Sequence, residues 1–463
     1  MAHSIPGRGA TLQAERRSLL WRIHFWAALI ATPFALIAAL TGILYIFTPQ
    51  IEASLYRELD SVAPAGALRP LDDAVRSAGK AAPDGWRLQS VIPQQKPSDS
   101  VKVAYLPPAP ANKSEAATHA GHQHGPAAAG RPAQAPAAFL RPSFGIPGKA
   151  LVIYVDPYTA RVLGRLPQAE RFNVWARKLH STLLQDGWRW MIELGASWVM
   201  VMLVTGVFLW WPRGGQSALP QASARGRVAW KQWHAFAGVS MGLLSAVMLT
   251  TGLTWSKHAG EQVRWARDAV GQTPPRIPAH FKSAVPAAGG ALSWEQALAA
   301  VRRNAPEVQM QIMPPAGPEG VWRAGQIDRG QAFERFDLLL DAYSGERLYY
   351  SGWSEQTAFG KATAIGIPFH RGEFGRWNQA LLLLFGLGVL FSMGSGWVMY
   401  FKRRAQGLSG LPAVAPGAWK RVSPWAWGGA ALMLVAMPLL ALSSIAVAGI
   451  ECLLLLRSRR APR

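Results

Sequence analysis

The chain has a single cysteine, Cys452, among 463 residues. That scarcity excludes intramolecular disulfides, thiolate zinc sites, cysteine-held iron–sulfur clusters and the C-x-x-C-H attachment of a c-type haem. Charge is sparse too, at 16% of residues, and the 26 Asp and Glu are outnumbered by 48 Lys and Arg. No G-x-G-x-x-G follows a predicted strand and no P-loop is present, so an appended nucleotide or flavin domain is not expected. Any metal or haem must be held mainly by the ten histidines or by carboxylates.

What is abundant is apolar surface. Half the residues are hydrophobic and 21 are tryptophan, the profile of a membrane protein with sizeable polar insertions. The runs 23–51, 194–211, 234–256 and 379–401 each supply the ~18 or more apolar residues that a bilayer crossing needs. The first is too long for the core of a signal peptide and lacks a clear small-x-small cleavage site, so it reads as a retained anchor. A fifth stretch, 425–456, would make a helix of ~48 Å. That is too long for one upright crossing, and Pro438 leaves two readings, a hairpin of short spans or one tilted helix.

The basic residues gather at one set of helix ends: Arg8, Arg16, Arg17 and Arg22; Arg213, Arg225, Arg227 and Lys231; Lys402, Arg403, Arg404, Lys420 and Arg421; Arg457, Arg459, Arg460 and Arg463. Only Glu15 opposes them within those segments. By the positive-inside rule the segments 1–22, 212–233, 402–424 and 457–463 are cytoplasmic. The net charge of +22 therefore reports topology, and the expected partner is membrane lipid rather than nucleic acid. The polar regions 52–193 and 257–378 fall on the opposite side, which in a bacterial inner membrane is the periplasm.

The spans repeat. His24 precedes Thr41-Gly42 by seventeen residues, as His234 precedes Thr251-Gly252; His180 precedes Thr205-Gly206 by twenty-five, as His370 precedes Ser395-Gly396. The polar regions repeat as well. Leu71–Val75 matches Ser293–Leu298 as the start of a short amphipathic helix with acidic residues in its first turn, and 154–163 matches 340–348 as strand, turn and strand. The expected fold is mainly α: a bundle of four core transmembrane helices plus the C-terminal segment, with two periplasmic α+β domains, as a tandem parallel repeat. An insert of Ala, Pro, Gly and His at 107–147 cannot bury enough apolar surface to fold alone. Its His119, His122 and His124 are either part of a solvated linker or weak ligands for a transition metal.

Sorted by membrane side, the four repeat-matched histidines form two pairs, His24 with His234 and His180 with His370. A b-type haem held between two helices needs one imidazole from each, and histidines at the membrane edge are costly unless functional. The competing reading is four interfacial side chains bonded to headgroups, water or backbone; the matched spacing favours ligation. The Thr-Gly and Ser-Gly steps fit either room for a flat porphyrin or ordinary close helix packing. On the outer side Arg177, Arg371 and Arg376 are candidates to pair haem propionates or to anchor at the interface. Trp175 and Trp353 are candidates for a substrate platform.

The order of His24 with Thr41-Gly42, of Trp175-Ala176-Arg177-Lys178-Leu179-His180 with Thr205-Gly206 and Trp210-Trp211-Pro212-Arg213, and of Phe369-His370-Arg371-Gly372-Glu373-Phe374-Gly375 resembles the PepSY-associated transmembrane family. The segments beginning at Asp156 and Asp341 resemble the strand and turn of PepSY domains. The resemblance covers roughly 15–405 and implies an iron-regulated inner-membrane protein of the haem-containing ferrisiderophore reductase branch. Two bis-histidine b haems, ligated by His24, His234, His180 and His370, would pass electrons from a quinol or a cytoplasmic reductase to a ferric siderophore or other iron chelate. A non-enzymatic PepSY protein that restrains a periplasmic partner such as a protease is the alternative. A permease for the iron complex is disfavoured by the lack of a broken-helix pattern in the sequence.

Overall fold

The structure, a computed structural model, describes residues 8–108, 139–140, 144–211, 219–287, 289–404 and 411–460. The chain divides into two compact units, one of Met1–Ile46, Lys178–Val270 and Arg376–Arg463, the other of Phe47–Arg177 and Gly271–Gly375.

In chain order the elements are α1 (Arg8–Ile46), α2 (Thr48–Leu55), α3 (Arg57–Asp60), α4 (Leu71–Ala81), β1 (Arg87–Ile92), β2 (Val101–Leu106), β3 (Phe139–Leu140), β4 (Leu151–Val155), β5 (Val162–Pro167), α5 (Phe172–Thr182) and α6 (Arg189–Trp210). There follow α7 (Gly226–Ser240), α8 (Gly242–Thr254), α9 (His258–Ala269), β6 (Ile277–Pro278), α10 (Trp294–Asn304), β7 (Met310–Met313), β8 (Val321–Gln326), β9 (Asp337–Asp341) and β10 (Arg347–Ser351). The chain ends with α11 (Ala358–Arg371), α12 (Arg376–Arg404), α13 (Pro424–Ala436) and α14 (Pro438–Arg460).

The first unit is helical. Glu15–Ile46, Asp186–Trp210, Arg376–Arg403 and Pro438–Leu456 are each long and apolar enough to cross a membrane, and α7 with α8 makes a fifth if the bent pair is one span. Helix α1 packs on both α6 and α12, and α7 packs on α12. Glycine permits this closeness. A Cβ on Gly195 would stand 2.4 Å from Cβ of Phe34, and one on Gly386 2.7 Å from Cγ1 of Ile43.

The segment 234–256, read from sequence as one uninterrupted crossing, is broken at Met241, where α7 and α8 meet at 55°. This overturns the sequence argument that no span is broken. Met241 has φ −89° and ψ −1° and lies between Ser240 and Gly242, residues that give a helix little resistance to kinking. Its side chain fills the space beside Gly388 of α12. Helix α1 ends at Ile46 and α6 runs from Arg189 to Trp210.

The C-terminal stretch divides at Met437 into α13 and α14, which pack on each other and on α9. A carboxylate within an apolar span demands a partner. Glu451 finds one in Arg22, whose Nε and Nη2 each donate at 2.7 Å, and accepts also from Nε1 of Trp26. Glu193 of α6, 2% exposed, accepts the backbone N–H of His258 and Ala259 at 3.1 and 2.6 Å. It thereby caps α9 at its positive end.

The second unit is a layer of helices on one antiparallel sheet of order β10-β9-β8-β7-β1-β2-β4-β5. The two polar regions do not build separate sheets. Their innermost strands pair, Val91 against Ile312, which removes two edges that would otherwise be open to aggregation. Alternation sends Val91, Val103, Ile153, Ile312, Leu338 and Leu340 to the face covered by α4 and α10. The acidic residues at the starts of those helices cap each other's helix. Asp72 accepts the N–H groups of Trp294 and Glu295 at 2.9 and 3.1 Å, and Glu295 accepts that of Leu71 at 2.7 Å. The turns match likewise: Asp156 accepts from Tyr158 N at 2.8 Å, and Asp341 from Tyr343 N at 2.8 Å.

Candidate functional site

Helix α1 carries His24 and α7 carries His234, and the helical unit brings their imidazoles together, with centroids 6.4 Å apart and planes at 88°. Each ring is held from a different neighbouring helix. Nδ1 of His24 lies 2.9 Å from Oγ1 of Thr205 on α6. Nδ1 of His234 lies 2.9 Å from the Ser392 carbonyl oxygen and 3.0 Å from Oγ of Ser395 on α12. His180, in the last turn of α5, repeats the arrangement with Oγ1 of Thr41 at 2.9 Å.

These contacts determine the tautomer. A carbonyl only accepts, so His234 carries its proton on Nδ1. The Thr205 hydroxyl donates to the Val201 carbonyl at 2.7 Å and that of Thr41 to the Ile37 carbonyl at 2.7 Å. With its proton spent, each hydroxyl must accept from the imidazole, which places the proton of His24 and His180 on Nδ1 as well. Nε2 then bears the lone pair, the state of a metal ligand whose other nitrogen is oriented by a hydrogen bond.

The glycine after each hydroxyl leaves room for the ring. A Cβ on Gly206 would stand 3.3 Å from Cε1 of His24, on Gly42 3.4 Å from Cε1 of His180, and on Gly396 3.7 Å from Cε1 of His234. Three of the four Thr-Gly and Ser-Gly steps, read from sequence as porphyrin clearance or helix packing, act on the histidines themselves: one residue orients the imidazole and the next makes space for its edge.

His370, half-buried in the last turn of α11, belongs to the sheet unit, whereas His180 belongs to the helical one. Arg371 forms an ion pair with Glu373 at 2.9 Å, and burial, set against the charge of Arg371, raises the Glu373 carboxyl above its usual range. Arg177 and Arg376 are exposed. Trp175 is exposed on α5, and Trp353 meets Phe333 edge to face at 4.8 Å with Lys361 over its ring at 5.6 Å. His119, His122 and His124 lie outside the described residues.

A second polar centre in the sheet unit was not legible in sequence. Arg171, 8% exposed, donates to Asp60 at 2.6 Å and to the Tyr154 hydroxyl at 2.7 Å, with Tyr56 beneath its guanidinium at 4.6 Å. Lys102 pairs Asp60 at 2.7 Å. Burial opposes ionisation of Asp60, but the Arg171 hydrogen bond and the charges of Lys102 and Arg171 outweigh it and hold the carboxyl below its usual range. A cavity of about 280 Å³ opens beside this cluster, lined also by Glu52, Asp99 and Ser100. Asp60 and Arg171 stand 111 positions apart in no motif, so no local signal announces them.

A multi-helix membrane protein with three histidines clasped in its apolar unit is the class that these features define. The PepSY-associated TM region family matches residues 21–403, and the chain belongs to it. Among curated proteins none matches the chain.

Proposed function

We propose that the protein is a haem-bearing oxidoreductase of a bacterial inner membrane, built as a tandem repeat, that reduces ferric chelates such as ferrisiderophores in the periplasm. The observation that carries this reading is the His24–His234 pair. Their centroids lie 6.4 Å apart, and each ring would present Nε2 to a haem iron held between the two helices. Neither Nε2 has another partner among the described residues. A zinc site would recruit three or four ligands, and no such group of His, Cys, Asp or Glu occurs among the described residues. A bis-histidine b haem needs two.

A bound haem would supply one-electron redox chemistry. The chain's own residues do the rest. His24 and His234 would hold one haem, Thr205 and Ser395 keep their Nδ1 protonated, and the surrounding apolar helices exclude water. His180, oriented by Thr41, would serve as a ligand to a second haem. Electrons from a quinol or a cytoplasmic reductase would leave at the outer side, converting Fe(III) to the more weakly chelated Fe(II).

Visible spectra of purified protein, oxidised and dithionite-reduced, with haem quantified per chain, test the reading. About two haems per chain are expected. Alanine at His24 or His234 should remove one and alanine at His180 the other. Protein that shows no Soret band after haem supplementation during expression sinks the proposal and leaves the non-enzymatic PepSY alternative.

A further inference from the structure

One basic cluster in the helical unit has no acid to answer it. The chain carries no Asp or Glu between Glu193 and Glu261 or between Glu373 and Glu451. The two carboxylates at this end of the unit are committed, Glu15 to Arg421 at 3.5 Å and Glu451 to Arg22 at 2.7 Å. Arg17, Arg227 and Lys231 are left together: the charges of Arg17 and Arg227 both bear on Lys231. The Arg227 Nε is buried without a hydrogen-bond partner. Three cations converging without an anion are mutually repulsive unless a negative group joins them.

Their register ties them to the histidine pair. Arg17 precedes His24 by seven residues and Arg227 precedes His234 by seven. That spacing is two helical turns along one face, about 10 Å. Lys231 lies between, three residues before His234. Helix α6 confirms the alignment, because the face that holds His24 through Thr205 also receives Arg17, whose Nη2 donates to the Leu209 carbonyl at 3.0 Å. Arg17 and Arg227 thus lie two turns from the imidazoles on the same helix faces, with Lys231 within one turn of His234; two turns is of the order a porphyrin's carboxylate arms reach from its metal.

We propose that Arg17, Arg227 and Lys231 form the cradle for the carboxylates of the haem held by His24 and His234. This rests on the reading above. It places the propionates of that haem toward the end of the bundle where the chain begins, on residues that the sequence pattern had assigned only to topology. The same chemistry would also receive a lipid phosphate, and the test separates the two sources.

Full-length protein, as wild type, as Arg17→Gln/Arg227→Gln with Lys231→Gln, and as an Arg225→Gln control, is incorporated into bilayers of neutral or of anionic phospholipid. Haem loss to excess apomyoglobin is then followed. The triple variant is expected to release one of its haems at least ~10-fold faster than wild type in both bilayers, and the control to match wild type. Wild type reconstituted with haem dimethyl ester, which lacks the carboxylate charges, should lose the same haem equally fast; this arm needs no variant to fold. Equal retention by wild type and triple variant, or equal retention of haem and its ester, overturns the cradle. A difference confined to anionic bilayers also overturns it and assigns the cations to headgroups. Wild type that binds no haem overturns the reading beneath it, and wild type that binds haem with an insensitive cluster overturns only this inference.

Discussion

Thr205 holds His24 by accepting from its imidazole: the hydroxyl lies 2.9 Å from Nδ1 and gives its own hydrogen to Val201 at 2.7 Å. Thr205→Val keeps the shape and removes the acceptor. A metal ligand that loses such an oriented second partner typically loses 10–100-fold in affinity. The valine variant should release haem on the order of 10-fold faster, and Thr205→Ser should restore retention. Equal release by the valine variant would mean that the hydroxyl does not orient the ring.

The glycines that flank the imidazoles make a graded prediction. A Cβ would come to 3.3 Å from His24 at Gly206, 3.4 Å from His180 at Gly42 and 3.7 Å from His234 at Gly396. The first distance requires the ring to yield, the second is at the edge of ordinary contact, and the third is ordinary contact. On the haem reading, Gly206→Ala should broaden and weaken the reduced spectrum of the haem at His24, Gly42→Ala should do so less, and Gly396→Ala should leave the spectrum unchanged. A reversed order would sever the step from the histidine.

Acid should loosen the sheet unit through Asp60. Its folded-state pKa is depressed by Arg171 and Lys102, so the stabilisation is complete above the unfolded value of about 3.9. It is lost as pH falls through the lower folded value. Removing one partner of a buried pair costs 3–5 kcal/mol; Asp60 keeps some solvent contact and Arg171 retains Glu52, so Asp60→Asn should cost about 2 kcal/mol at neutral pH. Thermal melts of full-length protein should show the variant less stable at pH 7 but losing less than wild type as the medium is acidified below about pH 4. Parallel pH profiles would refute the linkage.

Ala160 and Gly345 occupy the same point in their two turns, with φ of +55° and +72°. The left-handed region costs a non-glycine residue about 1 kcal/mol or more, partly offset by the greater unfolded-state freedom of glycine. Ala160→Gly should therefore stabilise by about 0.5 kcal/mol. Gly345→Ala should destabilise more strongly, since its Cβ would also meet Leu292 at 3.0 Å and Ala300 at 3.2 Å. Unfolding midpoints of the two variants that move in the same direction would contradict the shared geometry.

Much of this architecture is readable without coordinates, because its causes are local or periodic. Helix rise against bilayer thickness marks the apolar runs, and the paired histidines, each at a set distance from Thr-Gly or Ser-Gly, stand out by repetition. What Thr205 and Gly206 do for His24 was not readable, since it is a contact between helices 181 positions apart. Nor was the kink at Met241, where Ser240 and Gly242 weaken the helix and a gap at Gly388 receives the side chain. The pairing of β1 with β7 likewise joins two regions that look independent along the chain. Composition and spacing determined that this is a multi-span protein with matched histidines. Tertiary packing decided which nitrogen of His24 and His234 carries the proton and which cations converge near them, because tautomer and charge clustering depend on neighbours that only folding supplies.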